Sequence, residues 1–106
     1  MANLIVTFGR GSGDPPVMYG SGRRTEVLAI GGSAVATTMA NQDGGAQTSE
    51  NCADMYADTD CWVEIGAAPV ASAPAAAPNN KSFAISAGER HWAYLRPGEK
   101  VSVIAL

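Results

Sequence analysis

Helix signals are weak throughout this sequence. Twelve glycines and six prolines are scattered along it, and no window of about a dozen residues holds apolar side chains at helical spacing between caps. Short extended runs remain between these breaks. Leu4-Ile5-Val6-Thr7-Phe8, Val17-Met18-Tyr19, Glu26-Val27-Leu28-Ala29-Ile30 and Val35-Ala36-Thr37-Thr38 come first. They are followed by Cys52 through Tyr56, Cys61-Trp62-Val63-Glu64-Ile65, Ser82-Phe83-Ala84-Ile85-Ser86, His91-Trp92-Ala93-Tyr94-Leu95 and Val101-Ser102-Val103-Ile104-Ala105. Such runs, rich in β-branched and aromatic residues and bounded by turn formers, predict strands. Parallel strands need crossover helices, and none is available. The expected fold is therefore all-β: a small antiparallel β-sandwich or barrel, jelly-roll-like, of about seven to nine short strands.

With 106 residues the chain builds one modest core, so a single β domain over 1–106 is expected, better defined over 52–106 than over 1–51. Much of the 46% hydrophobic content is alanine and only 7% of residues are aromatic, so few large side chains fill that core, and association between copies would offset its thinness.

The connections have their own chemistry. Gly9-Arg10-Gly11-Ser12-Gly13-Asp14-Pro15-Pro16 predicts a loop, and the polar segment Asn41 to Asn51, with Asp43-Gly44-Gly45, an exposed loop without core residues. Ala67 to Asn80 is Ala, Pro and Ser with prolines at 69, 74 and 78; it predicts an extended connection along a sheet edge, the rival being a linker between domains. Ala57-Asp58-Thr59-Asp60 and Ala87-Gly88-Glu89 predict turns. Arg96-Pro97-Gly98-Glu99 suits a type II turn, with Pro fixing φ and Gly accepting a positive one, and predicts a hairpin between the last two strands.

A formal net charge of -3 offers no phosphate-neutralising surface, so nucleic acid is not an expected partner. The nearest basic cluster is Arg23-Arg24, expected as a solvated loop or a contact. The start of the chain lacks a secretory pattern and no apolar run is long enough to span a bilayer, so synthesis and assembly in a cytoplasm, without a membrane partner, are expected. Cys52 and Cys61 have no companion ligands at zinc spacing; two buried thiols are expected, the alternative being a disulfide.

No catalytic constellation emerges. Gly9-Arg10-Gly11-Ser12-Gly13 and Gly20-Ser21-Gly22 lack the spacing of phosphate-cradling loops and predict flexible turns. His91 is the one histidine; Ser86, Cys61 and Glu89 could complete a triad by type, but no nucleophile-elbow sequence surrounds them. Asp58 with Asp60, or Asp54 with Glu64, falls short of a calcium loop. Neither enzymatic activity, a cofactor nor a metal is expected. The aromatics Trp62, Trp92 and Tyr94 are the candidate contact residues. Alternation puts Cys61, Val63 and Ile65 on one face and Trp62 on the other, where a tryptophan serves a subunit contact or a sugar-stacking platform, unless it caps the core.

From Asp58 onward the sequence runs Asp-Thr-Asp-Cys-Trp-Val-Glu-Ile-Gly, then Ala-Pro-Val-Ala, Ile-Ser-Ala-Gly-Glu-Arg and Leu-Arg-Pro-Gly-Glu-Lys-Val-Ser-Val-Ile. This order resembles small virion proteins of tailed bacteriophages, in which a strand ending in Gly precedes an Ala/Thr/Pro-rich stretch, an Ala-Gly turn starts a hairpin and a Pro-Gly-Asp or Pro-Gly-Glu turn leads into the closing strand. The resemblance covers less than half the chain. It implies a β-sandwich or barrel attached in several copies to capsid, neck or tail proteins, with head decoration preferred over a neck or tail role. The interface residues that fit this are Trp62, Trp92, Tyr94, Arg23 and Arg24, and a carbohydrate-binding sandwich module is the alternative from another class.

Overall fold

The computed structural model describes residues 2–13, 16–42, 50–73 and 81–106. Over these the chain is all β: β1 (Asn3–Gly13), β2 (Pro16–Ala29), β3 (Val35–Ala36), β4 (Cys52–Ala57), β5 (Cys61–Gly66), β6 (Phe83–Ile85), β7 (Arg90–Tyr94) and β8 (Lys100–Ala105). The pairings are antiparallel and form two four-stranded sheets, ordered β2-β1-β4-β7 and β3-β8-β5-β6.

Period-two alternation builds the core between the sheets. From the first sheet come Leu4, Val6, Phe8, Leu28, Ala53, Met55 and Ala57; from the second come Cys61, Val63, Ile85, Val101 and Val103. Among the described residues Phe8 is the largest fully buried side chain, so the layer is filled mostly by aliphatic groups, each contributing roughly 1.5–3 kcal/mol on burial.

The strands pair as β1 with β2, β3 with β8, β4 with β7 and β5 with β6. Alternate pairs fall in opposite sheets, which is the rolled ribbon of a jelly roll. In the usual chain order the strand between β2 and β4 would come last; here β1 fills that place and comes first. Ala2 and Ala105 consequently lie close together: the Ile30 N–H donates to the Ala2 carbonyl at 3.0 Å and the Ala105 N–H to the Gly31 carbonyl at 2.8 Å.

Several local expectations are corrected. Gly9 to Gly13 is not a loop but the outer half of β1, and Val17-Met18-Tyr19, Gly20-Ser21-Gly22 and Glu26 to Ala29 all belong to the one strand β2. Two features hold the glycine-rich half extended. The Asn51 side chain bonds the Gly11 N–H and carbonyl, both at 2.9 Å, and a side chain at Gly9 would meet the Met18 sulfur at 3.0 Å. The register slips there: Phe8 faces Arg24 but Arg10 faces Tyr19, so β2 bulges opposite Gly9.

The turn at Arg96–Glu99 forms as expected, with Gly98 at φ 86 and the Glu99 N–H on the Arg96 carbonyl at 3.2 Å. It does not make a hairpin. β7 and β8 lie in different sheets, and the turn carries the chain across the sandwich. The Ala-Gly turn is its counterpart: Gly88 has φ 81, the Glu89 N–H donates to the Ser86 carbonyl at 2.9 Å, and the chain passes from β6 to β7 in the opposite direction. In each turn the closing glutamate accepts from the first residue's N–H, Glu89 from Ser86 and Glu99 from Arg96, both at 2.7 Å. Each also docks on one residue elsewhere. Gly88 donates to Ala57 and Ala57 to Glu89; Gly98 donates to Asn41 and Asn41 to Glu99.

The segment Asn41 to Asn51 contributes more than expected, because Asn41 and Glu50 are buried; residues 43–49 lie outside the described residues. Of the expected connection, Ala67 to Ala73 lies over the outer side of the second sheet rather than along its edge, and residues 74–80 lie outside the described residues. Val70 donates to the Glu64 carboxylate at 2.9 Å and Ala71 to the Ser102 hydroxyl at 3.1 Å, and Ala71 is buried.

Candidate functional site

The residues singled out from the sequence are distributed over both sheets. In β5, Cys61 and Val63 enter the core and Trp62 turns to the outer side of the second sheet, half-buried. In β7, Ala93 packs on the core and His91 stacks on Phe83 of β6 with ring centroids 4.7 Å apart, leaving Arg90, Trp92 and Tyr94 on the outer side of the first sheet. Trp62 and Trp92 thus occupy opposite faces and do not form one platform.

Arg24 and Arg23 part company as well, since neighbours in a strand face opposite ways. Arg24 turns in, lies over the Phe8 ring at 5.7 Å and bonds both Glu50 carboxylate oxygens, at 2.8 and 2.7 Å, and the Ala40 carbonyl at 2.7 Å. The bond to Glu50 raises the guanidinium above its usual value against the opposing effect of burial. Arg24 is therefore neither a loop residue nor an exposed one. It fastens the segment after β3 to the open side of the sandwich. Arg23 is exposed and donates to the Met18 carbonyl at 3.2 Å. Glu26 helps Arg24 from the same strand: burial opposes its charge, but the Thr38 and Met39 N–H groups, the Thr38 hydroxyl and Lys100 together hold its carboxyl below the usual range.

His91, Ser86, Cys61 and Glu89 do not assemble into a reactive group. Cys61 is fully buried, the Glu89 carboxylate is taken by the Ser86 N–H, and among the described residues none of the three hydrogen-bonds His91. Burial, then Asp60 and Asp58, pushes the Cys61 thiol up to about 11. Burial also raises Cys52, followed by Asp54 and Glu50. Both cysteines are free, and both thiols stay protonated and poorly nucleophilic at neutral pH. Asp58 accepts from the Asn3 N–H at 2.7 Å and Asp60 from the Ala87 N–H at 2.8 Å, so these carboxylates tie corners together. Asp54 and Glu64 lie in different sheets.

The feature that sequence reasoning missed is the outer face of the first sheet as a whole. Register places Val27, Ile5, Tyr56 and Arg90 in one row across β2, β1, β4 and β7, and Thr25, Thr7, Asp54 and Trp92 in the next. Tyr94 follows beside Cys52, and its hydroxyl donates to the Gly13 carbonyl at 2.6 Å. Val27 is 56% exposed, Ile5 40% and Tyr94 53%. The Arg90 guanidinium stands over the Tyr56 ring at 5.5 Å and pairs with Asp54.

Asp54 lies at the centre of this face, 7% exposed. Its second oxygen, Oδ1, has no hydrogen-bond partner among the described residues. Burial raises its carboxyl above the ordinary value, and the charge and hydrogen bond of Arg90 offset this in part.

No family model matches the chain, and no curated protein or solved structure matches it. Its own geometry therefore carries the functional argument. That geometry is a sheet face with apolar groups at one side, aromatic groups at the other and an ion pair between them. Alternation within β4 and β7 was visible in the sequence; that these two strands are neighbours was not, because they are separated by two strands of the other sheet.

Proposed function

We propose that the chain is a non-catalytic structural protein of a tailed phage virion that binds and stabilises the capsid lattice as a decoration protein, in several copies, through the outer face of its first sheet. The observation that carries this reading is the grouping of exposed Ile5, Val27 and Tyr94 with half-buried Tyr56 and Trp92 and the Arg90 guanidinium on that one face. Aromatic residues and arginine are the groups enriched in subunit contacts, and a monomer gains nothing by leaving such a set in water. The turn pattern of residues 58–106, which resembles small virion proteins, supports the same reading, as does a core thin enough to benefit from burial against a neighbour.

A neck or tail attachment uses the same face and differs in the partner. A sugar-binding module is less well supported, since Trp62 and Trp92 lie on opposite sheets and cannot grip one ring. The test is co-sedimentation of the purified protein with phage heads lacking their decoration layer and, separately, with tails. Saturable binding to heads at a stoichiometry matching the lattice, lost in an Ile5→Lys, Val27→Lys double variant, is the expected result. Absence of binding to either particle contradicts the reading, and binding to tails alone moves the site of attachment.

A further inference from the structure

We infer that β7 is a pairing edge for a second copy of this chain: two β7 strands meet antiparallel about a two-fold axis at Trp92 and join the two first sheets into one. The inference concerns self-association and does not depend on which particle, if any, the protein joins.

The direction of the β7 backbone groups follows from its single partner. Ala57 donates to the Glu89 carbonyl at 3.3 Å and Leu95 to the Asn51 carbonyl at 2.9 Å. These bonds bracket the β4–β7 register, in which Asp54 faces Trp92 and Cys52 faces Tyr94. In an antiparallel ladder hydrogen-bonded and non-bonded pairs alternate. Glu89, His91, Ala93 and Leu95 therefore turn their N–H and C=O groups towards β4. Arg90, Trp92 and Tyr94 turn theirs to the open edge, where no described residue bonds them.

The other edges are managed differently. β3 and β6 have two and three residues, too short to template a partner. Along β2, the Arg24 and Glu26 side chains hold the segment 38–40 by hydrogen bonds. β7 has five residues, with no proline and no bulge in its pairing with β4, and the charge of Arg90 is drawn over the sheet face to Asp54 and the Tyr56 ring.

Its sequence is self-complementary in one orientation. With Trp92 opposite its own copy, each Arg90 faces Tyr94 of the other chain, a cation beside an aromatic ring. The six edge-facing backbone groups of each strand then find partners, and Trp92, Tyr94 and Arg90 of both copies lie on one continuous outer face. Parallel pairing would set Arg90 against Arg90 and is disfavoured. The resulting contact is isologous, as a closed dimer requires.

Cysteine cross-linking together with sedimentation tests this. A hydrogen-bonded antiparallel pair has Cα atoms about 5.5 Å apart, within the span of a disulfide. Trp92→Cys should form a disulfide-linked dimer on mild oxidation, whereas Val27→Cys, at the opposite side of the sheet, should not; Cys52 and Cys61 are buried and do not interfere. The unmodified protein should sediment at twice its 10.9 kDa. Tyr94→Pro removes an N–H that points to the open edge, so it should abolish the dimer while leaving the far-UV spectrum of the sandwich unchanged. A protein that stays monomeric at its highest soluble concentration overturns the inference. So does a dimer that survives Tyr94→Pro, or one in which Trp92→Cys cross-links no better than Val27→Cys.

Discussion

Asp54 shows how a single residue on a sheet face can record a compromise. Its carboxyl is raised by burial in spite of Arg90, so the folded chain holds this proton more tightly than the unfolded one. The sign follows from linkage: stability contributed by the protonated form is present at low pH and declines as pH rises through the ordinary carboxyl value towards the raised one. Asp54→Asn, which removes the charge and keeps the shape, should raise the urea midpoint at neutral pH and flatten this acid-range dependence; a lower midpoint at neutral pH contradicts the assignment. Arg24 is the opposite case. Its partner Glu50 has a side chain only 1% exposed, while Arg24 retains 29%. Arg24→Met leaves that carboxylate without its cation and should cost roughly 3 kcal/mol, the lower end of the range for breaking a buried pair; chemical denaturation measures it. Nothing in the dipeptide Arg23-Arg24 separates an exposed guanidinium from a buried one. The buried partner sits far along the chain in a segment whose composition predicts an exposed loop.

At the level of elements, the two glutamate-closed turns are the devices that shape the sandwich. Gly98 has φ 86 and no described residue within 4 Å of where a Cβ would stand, so Gly98→Ala is a conformational change that should destabilise by about 1–2 kcal/mol. Gly66, equally open but without a positive φ, should tolerate Ala with no loss or a small gain. Equal effects at both positions would remove the argument. These turns were legible in the sequence, since Pro-Gly and Ala-Gly fix the local backbone, and so were the strands Leu4–Phe8, Cys61–Ile65 and Val101–Ala105. Where the turns lead was not legible. A type II turn fits both a hairpin and a corner between sheets, and the choice here depends on docking to Ala57 and Asn41, contacts between residues distant in sequence. The extension of β1 through Gly9–Gly13 was hidden for a similar reason. Glycine has little strand preference of its own, and the Asn51 side chain and the Met18 packing that hold this stretch are invisible in a local window.

The molecule as a whole is a rolled ribbon measuring 40 × 25 × 25 Å, with its described ends side by side at Ile30 and Gly31. Joining residue 106 to residue 2 through a short flexible linker and opening the chain between Gly13 and Pro16 should give a permuted protein that runs β2 to β8 and then β1. It should fold with a similar thermal midpoint, whereas a permutant that cannot fold would contradict the topology. One face of this ribbon gathers the apolar, aromatic and arginine groups, while the segment 67–73 lies on the other, bonded to Glu64 and Ser102. Hydrogen exchange on the protein alone and mixed with undecorated phage heads, the partner proposed above, tests that division most directly. Slowing concentrated in β1, β4 and β7 is the outcome expected here; slowing confined to β5, β8 and the segment over them would place the working surface on the wrong side of the sandwich.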